Sequence, residues 1–348
     1  MEMSPFPHLA IPAADRLAGL VPDAGHLQHM PSHIYVLCGD YGRTVDSNAQ
    51  AMRADAKYRE NENGARFYTL YIAHNIHFKA YGAMFSGQGE AALAAADALV
   101  EVLPESLLRV ESPPMADWLE GFVPIRAHVL IRFGRWDAIL AEPMPADPAL
   151  YSATTATLHY ARGIAYAATG EVTAAERERE LFTAALARVP ESRTVFNNTC
   201  RDILTVAGQM LDGEIAYRRG DYDEAFAALR RSIELDDALP YDEPWGWMQP
   251  TRHAYGALLL EQGLYAEAEL AYRADLGFDS TLSRACQHPG NVWSLHGYHE
   301  CLLAAGKAEE AALISQQLEL AGARADVPVE SSCFCRGAAL AASGECCP

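Results

Sequence analysis

One arrangement recurs along the whole chain. An amphipathic helical stretch is followed by a short turn carrying glycine, then by a second helical stretch with a small residue five positions after that glycine. The clearest copies are YRRGDYDEAFAALRRSIELD around Gly220, LLEQGLYAEAELAYRADL around Gly263, LLAAGKAEEAALISQQLELA around Gly306 and YAATGEVTAAERERELFTAAL around Gly170. Looser copies surround Gly134, Gly87 and Gly39. A unit of this kind cannot bury its apolar face alone, so copies must stack on their neighbours. The turn glycines lie 36 to 50 residues apart, and the small residues are Ala92, Ala175, Ala225, Ala268 and Ala311; the looser equivalents are Ile139 and, six positions after Gly39, Val45. Proline-rich connections such as RVESPPMADW, AEPMPADPALY and LPYDEPWGWMQP break helices between copies. No segment shows strand alternation worth assigning, and Ala and Leu dominate long stretches, so the expected class is all-α.

The G-D-Y-x-E-A wording at Gly220 resembles the turn of the tetratricopeptide repeat, in which an alanine after the turn lets the second helix pack closely. That repeat is about 34 residues long, so the longer spacing here makes the chain tetratricopeptide-like. The resemblance implies a right-handed superhelix of about seven helical hairpins, with the first helix of each lining the inner surface. The expected organisation is one repeat domain over 1–320 and a cysteine-containing tail over 321–348. The strings HMPSHIYV, AHNIHF, EPWGWMQPTRH, HPGNVW and SSCFCR look like signatures of a group of bacterial tetratricopeptide-like proteins with inward histidines.

The repeats serve as a ruler for the histidines. In the resembled pattern the turn glycine falls near position 15, and positions 2, 5 and 9 face the groove. Counting back from each glycine puts His26, His29, His33, His74, His77, His128, His253 and His296 on those positions, eight of the twelve histidines in the chain. Composition alone would place about one there. Histidines three or four apart share one stripe of a helix, as in the His29/His33 and His74/His77 pairs, and neutral imidazole is the commonest metal ligand. A superhelix of this length is expected to curl far enough for the first two and last two repeats to share a site or hold one each. His288 stands in the loop before the last repeat, and His8, His159 and His299 are expected to be ordinary surface or core residues.

With 348 residues, a formal net charge of -19 and a pI near 5.0, the chain is a poor partner for nucleic acid or anionic membranes. No apolar stretch is long enough to span a bilayer, and the first residues lack a signal-peptide pattern, so a cytoplasmic location is expected. Eight cysteines then stand as free thiols or metal ligands, four of them within the last sixteen residues. Cys333 and Cys335 are too close for a paired-turn zinc site, but C-x-C thiolates suit soft ions such as Cu(I). Cys346 and Cys347 are adjacent and less specific.

These patterns point first to a metal-dependent oxidoreductase acting on a small molecule. Its metal ligands are drawn from His29, His33, His74, His77, His253, His288, His296, Cys333 and Cys335. Tyr35, Tyr71, Tyr81 and Glu243 are its candidate catalytic or substrate-contacting side chains. Copper is favoured because soft thiols accompany the imidazoles, with zinc or iron next. The alternative is an interaction scaffold for a protein or peptide partner, although the inner positions lack the Asn, Lys and Arg of a carboxylate clamp. Metal storage or delivery is the third reading. No phosphate loop and no nucleophile–base triad is visible.

Overall fold

The computed structural model describes residues 1–61 and 67–336, and Cys346 and Cys347 lie outside them. All seven turn glycines, Gly39, Gly87, Gly134, Gly170, Gly220, Gly263 and Gly306, have φ between 62° and 85°, the left-handed region open to glycine. Each ends a helix in the same way. The amide after the glycine donates back to the carbonyl five residues earlier, as in Asp40 to Tyr35 (2.9 Å), Asp221 to Ala216 (3.0 Å) and Lys307 to Leu302 (2.9 Å). This closure satisfies carbonyls that the helix end would leave bare and reverses the chain into its partner helix.

Among the described residues the result is an all-α superhelical array of seven hairpins. Short helices α1 (Ile11–Leu17) and α2 (Gly25–His29) lead into the first hairpin, α3 (Pro31–Leu37) and α4 (Tyr41–Asn61). The second is α5 (Thr69–Phe85) with α6 (Gly89–Val102). The short α7 (Glu105–Leu108) and α8 (Met115–Leu119) connect it to α9 (Ile125–Arg132) and α10 (Trp136–Ala141). The remaining pairs are α11 (Ser152–Ala168) with α12 (Val172–Leu186), α13 (Cys200–Arg219) with α14 (Tyr222–Asp237), α15 (Thr251–Glu261) with α16 (Tyr265–Leu276), and α17 (Val292–Ala304) with α18 (Ala308–Ala321). The small residue after each turn is where the paired helices touch: Ala92, Ala175, Ala225 and Ala268 have no exposed surface. A two-residue antiparallel ribbon, β1 (Thr194–Val195) with β2 (Asn198–Thr199), was not expected from the pattern and carries Phe196 at its tip with φ 47°.

The two ends of the array meet. Gly39 sits so close to the last repeat that an added Cβ would fall 2.3 Å from the Pro289 carbonyl oxygen. Arg284 donates to the Leu37 carbonyl, and Trp293 Nε1 donates to the Met84 carbonyl at 2.7 Å. Asp326 accepts from the amides of Gly89 (2.6 Å) and Glu90 (3.0 Å), capping α6 from the far end of the chain. The hollow between the hairpins is filled by the chain itself. The connection between α14 and α15 buries Trp245, Trp247 and Met248, and its Gln249 donates to the His128 carbonyl at 2.6 Å. Beyond α18 the chain runs back inside, where Arg132 donates to the Ser332 carbonyl at 2.6 Å.

Candidate metal centre

Three imidazoles gather at the start of the array. His29 comes from α2, His33 from α3 and His74 from α5, and one ring nitrogen of each lies within 4.8 Å of the others. All three are buried and pack around the ring of Phe78, which has no exposed surface. Pro31 starts α3 directly after α2, so the backbone turns only slightly between them and the i, i+4 spacing of His29 and His33 survives the join. Their Nε2 atoms face each other at 2.6 Å.

The outer nitrogens of two of these rings are held by polar partners. Asn48 Nδ2 donates to the Thr44 carbonyl at 2.8 Å, which turns Asn48 Oδ1 toward His29 Nδ1 at 2.7 Å. His29 Nδ1 must therefore carry the proton, and its Nε2 lone pair points into the cluster. His33 Nδ1 meets two carboxylates, Glu2 at 2.6 Å and Glu243 at 2.5 Å, so its Nε2 also faces the cluster. Burial opposes charge on His33, but the two carboxylates outweigh it and raise the imidazole to about 9. His29 and His74 are held well below the usual histidine range, first by burial and then by neighbouring imidazoles, which leaves them neutral. His74 Nδ1 has no partner among the described residues. Three imidazole nitrogens within 4.8 Å of one another, the far sides of His29 and His33 fixed by an amide and by carboxylates, form a group that could hold a metal ion.

A cleft of about 350 Å³ opens beside this cluster. His33, His74, Glu243, Tyr71, Phe196 and Tyr241 are among the side chains that line it. His26 stacks on His29 at 5.4 Å and meets the Tyr71 ring edge-on at 4.7 Å. Phe196 stands edge-on to His74 at 5.0 Å and to Phe122 at 5.1 Å, so the ribbon tip divides this cleft from the space around His77. Tyr241 donates to Glu243, which is thereby fixed between His33 and the cleft.

The other candidate residues stand elsewhere. His77 shares a small void of about 30 Å³ with His128 and Trp247. Burial lowers His77 to about 3 and His128 to about 4, and the Nδ1 of each ring and Trp247 Nε1 lack partners among the described residues. A void of that size with three polar groups matches one water molecule. His253 and His288 both address Asp275, at 3.1 Å and 2.8 Å, while Arg132 donates to His253 Nδ1 at 2.8 Å. Asp275 also accepts from Asn291 (2.9 Å) and Ser294 (2.6 Å), so this buried group is fully satisfied without an ion. His296 is partly buried near Glu300 and belongs to none of the close ligand groups among the described residues. Cys333 and Cys335 are joined as a disulfide beside Glu214, in a close ligand group that holds no histidine.

Of the four candidate catalytic side chains, Glu243 and Tyr71 line the cleft. Tyr35 is buried but not part of the cleft lining; it donates to Asp15 at 2.8 Å under the Arg43 guanidinium, and burial followed by Asp15 raises its phenol to about 12. Tyr81 is buried against Phe85. Sequence reasoning missed Glu2, Asn48, Phe196 and Tyr241. Asn48 stands on α4 facing His29, a placement that follows from the hairpin, but Glu2 precedes the first repeat and the repeat pattern says nothing of it.

The geometry defines a helical-repeat protein with a buried histidine cluster able to hold a metal ion. No helix among the described residues is long and apolar enough to cross a membrane. No family model matches the chain, and no curated protein matches it. Among solved structures it is similar to the Assembly Chaperone of RpL4 (Acl4), residues 1–338, with 17% identity over 88% of this chain and 92% of that one, and a TM-score of 0.28.

Proposed function

We propose that the protein binds a transition metal at His29, His33 and His74 and uses it to act on a small molecule in the adjoining cleft. The observation that carries this reading is the convergence of three buried ring nitrogens, with the opposite faces of His29 and His33 fixed by Asn48, Glu2 and Glu243. The thiols that favoured copper lie with Glu214, so the donor set is nitrogen alone. That set suits Cu(II), zinc or iron(II) and disfavours magnesium and calcium. A metal held there would supply Lewis-acid or redox chemistry. The surrounding side chains do the rest: Glu243 keeps His33 oriented, the rings of Tyr71, Phe196 and Tyr241 hold an organic molecule and exclude water, and His26, whose imidazole is lowered by burial, stands neutral at the wall as a proton acceptor. We read residues 1–320 as one repeat domain and place the protein in the cytoplasm, in keeping with four free cysteines among the described residues.

The test is elemental analysis of untagged protein. The reading expects about one equivalent of a first-row metal, lost in a His29→Ala/His74→Ala variant that keeps its helical circular dichroism, and metal-dependent turnover of a small molecule with oxygen uptake if the metal is redox-active. Protein that neither carries nor takes up such a metal would overturn it.

A second reading, a scaffold for a protein partner, is favoured by exposed leucines on the last two hairpins: Leu270, Leu303, Leu313 and Leu320 are 56% to 79% exposed. Because the groove is filled by the protein's own chain, such a partner would dock on this outer face. A defined complex that Leu313→Glu/Leu320→Glu abolishes, formed equally by metal-free protein, would support the scaffold over the enzyme.

A further inference from the structure

The C-x-C segment is held with more care than a loose tail needs. Ser332, just before Cys333, is fixed by three hydrogen bonds: Arg132 donates to its carbonyl at 2.6 Å, Tyr272 bonds its hydroxyl at 2.6 Å, and that hydroxyl donates to the His253 carbonyl at 2.8 Å. Between the cysteines, Phe334 fills the space over Gly134, where a Cβ would come within 2.8 Å of it. After them, Arg336 pairs with Glu300 at 2.7 Å. The segment is thus anchored before, between and after its two sulfurs.

Facing those sulfurs is Glu214 of α13, only 1% exposed. Its Oε2 has no hydrogen-bond partner among the described residues, while a carboxylate oxygen and the two sulfurs lie within 4.8 Å of one another. One turn further along α13, Arg218 donates to the Cys335 carbonyl. An unpartnered carboxylate in a protein interior is costly unless a cation joins it. Burial raises Glu214 to about 7, opposed in part by Arg218. Two sulfurs and one carboxyl oxygen around one point, with one arginine at the edge, form a donor set for a thiophilic divalent ion. The carboxylate, which the tail alone does not reveal, shifts the choice from Cu(I) to Zn(II).

We propose that reduced Cys333 and Cys335, together with Glu214, form a zinc-type site separate from the histidine cluster, and that the disulfide is its oxidised, metal-free form. A thiol reductant opens it: the S–S bond takes two electrons and two protons to become two thiols, and the reductant becomes its own disulfide. Metal binding then forms two S–metal bonds and releases the two thiol protons.

The test uses the full chain in a Cys346→Ser/Cys347→Ser background, titrated with Cd(II) as a zinc surrogate whose thiolate charge-transfer absorbance is visible. Reduced protein should take up one Cd(II) with that absorbance, and diamide-oxidised protein should not. Cys333→Ser/Cys335→Ser should lose it. Glu214→Gln should keep the band but bind about 10- to 100-fold more weakly. His29→Ala/His74→Ala should leave both band and affinity unchanged. Helical circular dichroism of each variant confirms folding. An equal band in the double serine variant, unchanged affinity in Glu214→Gln, or loss of the band in the histidine variant would each overturn the proposal.

Discussion

Raising the pH from 7 to 9 is expected to tighten metal binding at the histidine cluster about a hundredfold. Without metal, Glu2 and Glu243 keep His33 protonated up to about 9, so at pH 7 both of its nitrogens carry hydrogen and Nε2 is not a ligand. A metal must displace that proton, which costs about 1.4 kcal/mol per pH unit below 9, or about 3 kcal/mol at pH 7. Affinity should therefore rise about tenfold per unit up to pH 9 and then level off. The same shift acts on the metal-free fold. The folded value lies above the unfolded value of 6.5, so this contribution to stability is fully present below 6.5 and is lost as pH rises through 9. The assay is competition of Zn(II) against a chromophoric chelator at several pH values, with calorimetry in two buffers to count the released proton. Glu2→Gln/Glu243→Gln removes the cause and should flatten the slope above pH 7. A flat slope in the natural protein, or an unchanged slope in the double variant, would refute the reasoning.

Other outcomes follow from single contacts. Asn48→Ala leaves His29 Nδ1 without its acceptor and should weaken metal binding about 10- to 100-fold, by the same competition assay. His253→Ala removes one acceptor of buried Arg132 and one partner of buried Asp275, so it should cost about 3–5 kcal/mol in denaturant unfolding with metal content unchanged. Glu214→Gln in the oxidised chain should stabilise the fold at pH 8 and have little effect near pH 4. Its folded value of about 7 lies above the unfolded 4.5, so stability present below 4.5 is lost as pH rises through 7, amounting to about 3 kcal/mol. Thermal unfolding at both pH values checks it.

The helical hairpins were legible because each turn needs a residue free to adopt positive φ, and all seven predicted glycines adopt it. Once the turn is fixed, helical periodicity dictates which side chains share a face; of the eight histidines so placed, His29, His33, His74, His77, His128 and His253 are buried, while His26 and His296 are half-buried. Spacing did not tell which of them share an ion. His74 and His77 are three apart on α5, yet one joins His29 and His33 while the other turns to His128. A separation of three residues leaves two side chains about 60° apart around the helix, enough to reach one ion or two neighbouring spaces. The neighbours decide which, and here Phe196 on His74 and Phe122 on His77 meet edge-on between the two spaces.

By itself the amino-acid sequence determined the repeating unit, its glycine turns and the helix faces on which the histidines stand, because turn chemistry and helical periodicity are local and act over a few residues. Only the tertiary structure decided that the ends of the array meet, that Asp275 takes His253 and His288, that Glu214 faces Cys333 and Cys335, and that Glu2 and Glu243 converge on His33. Those pairings join residues up to hundreds of positions apart. They depend on how the small rotation between successive hairpins accumulates along the array, and no local rule of sequence expresses that sum.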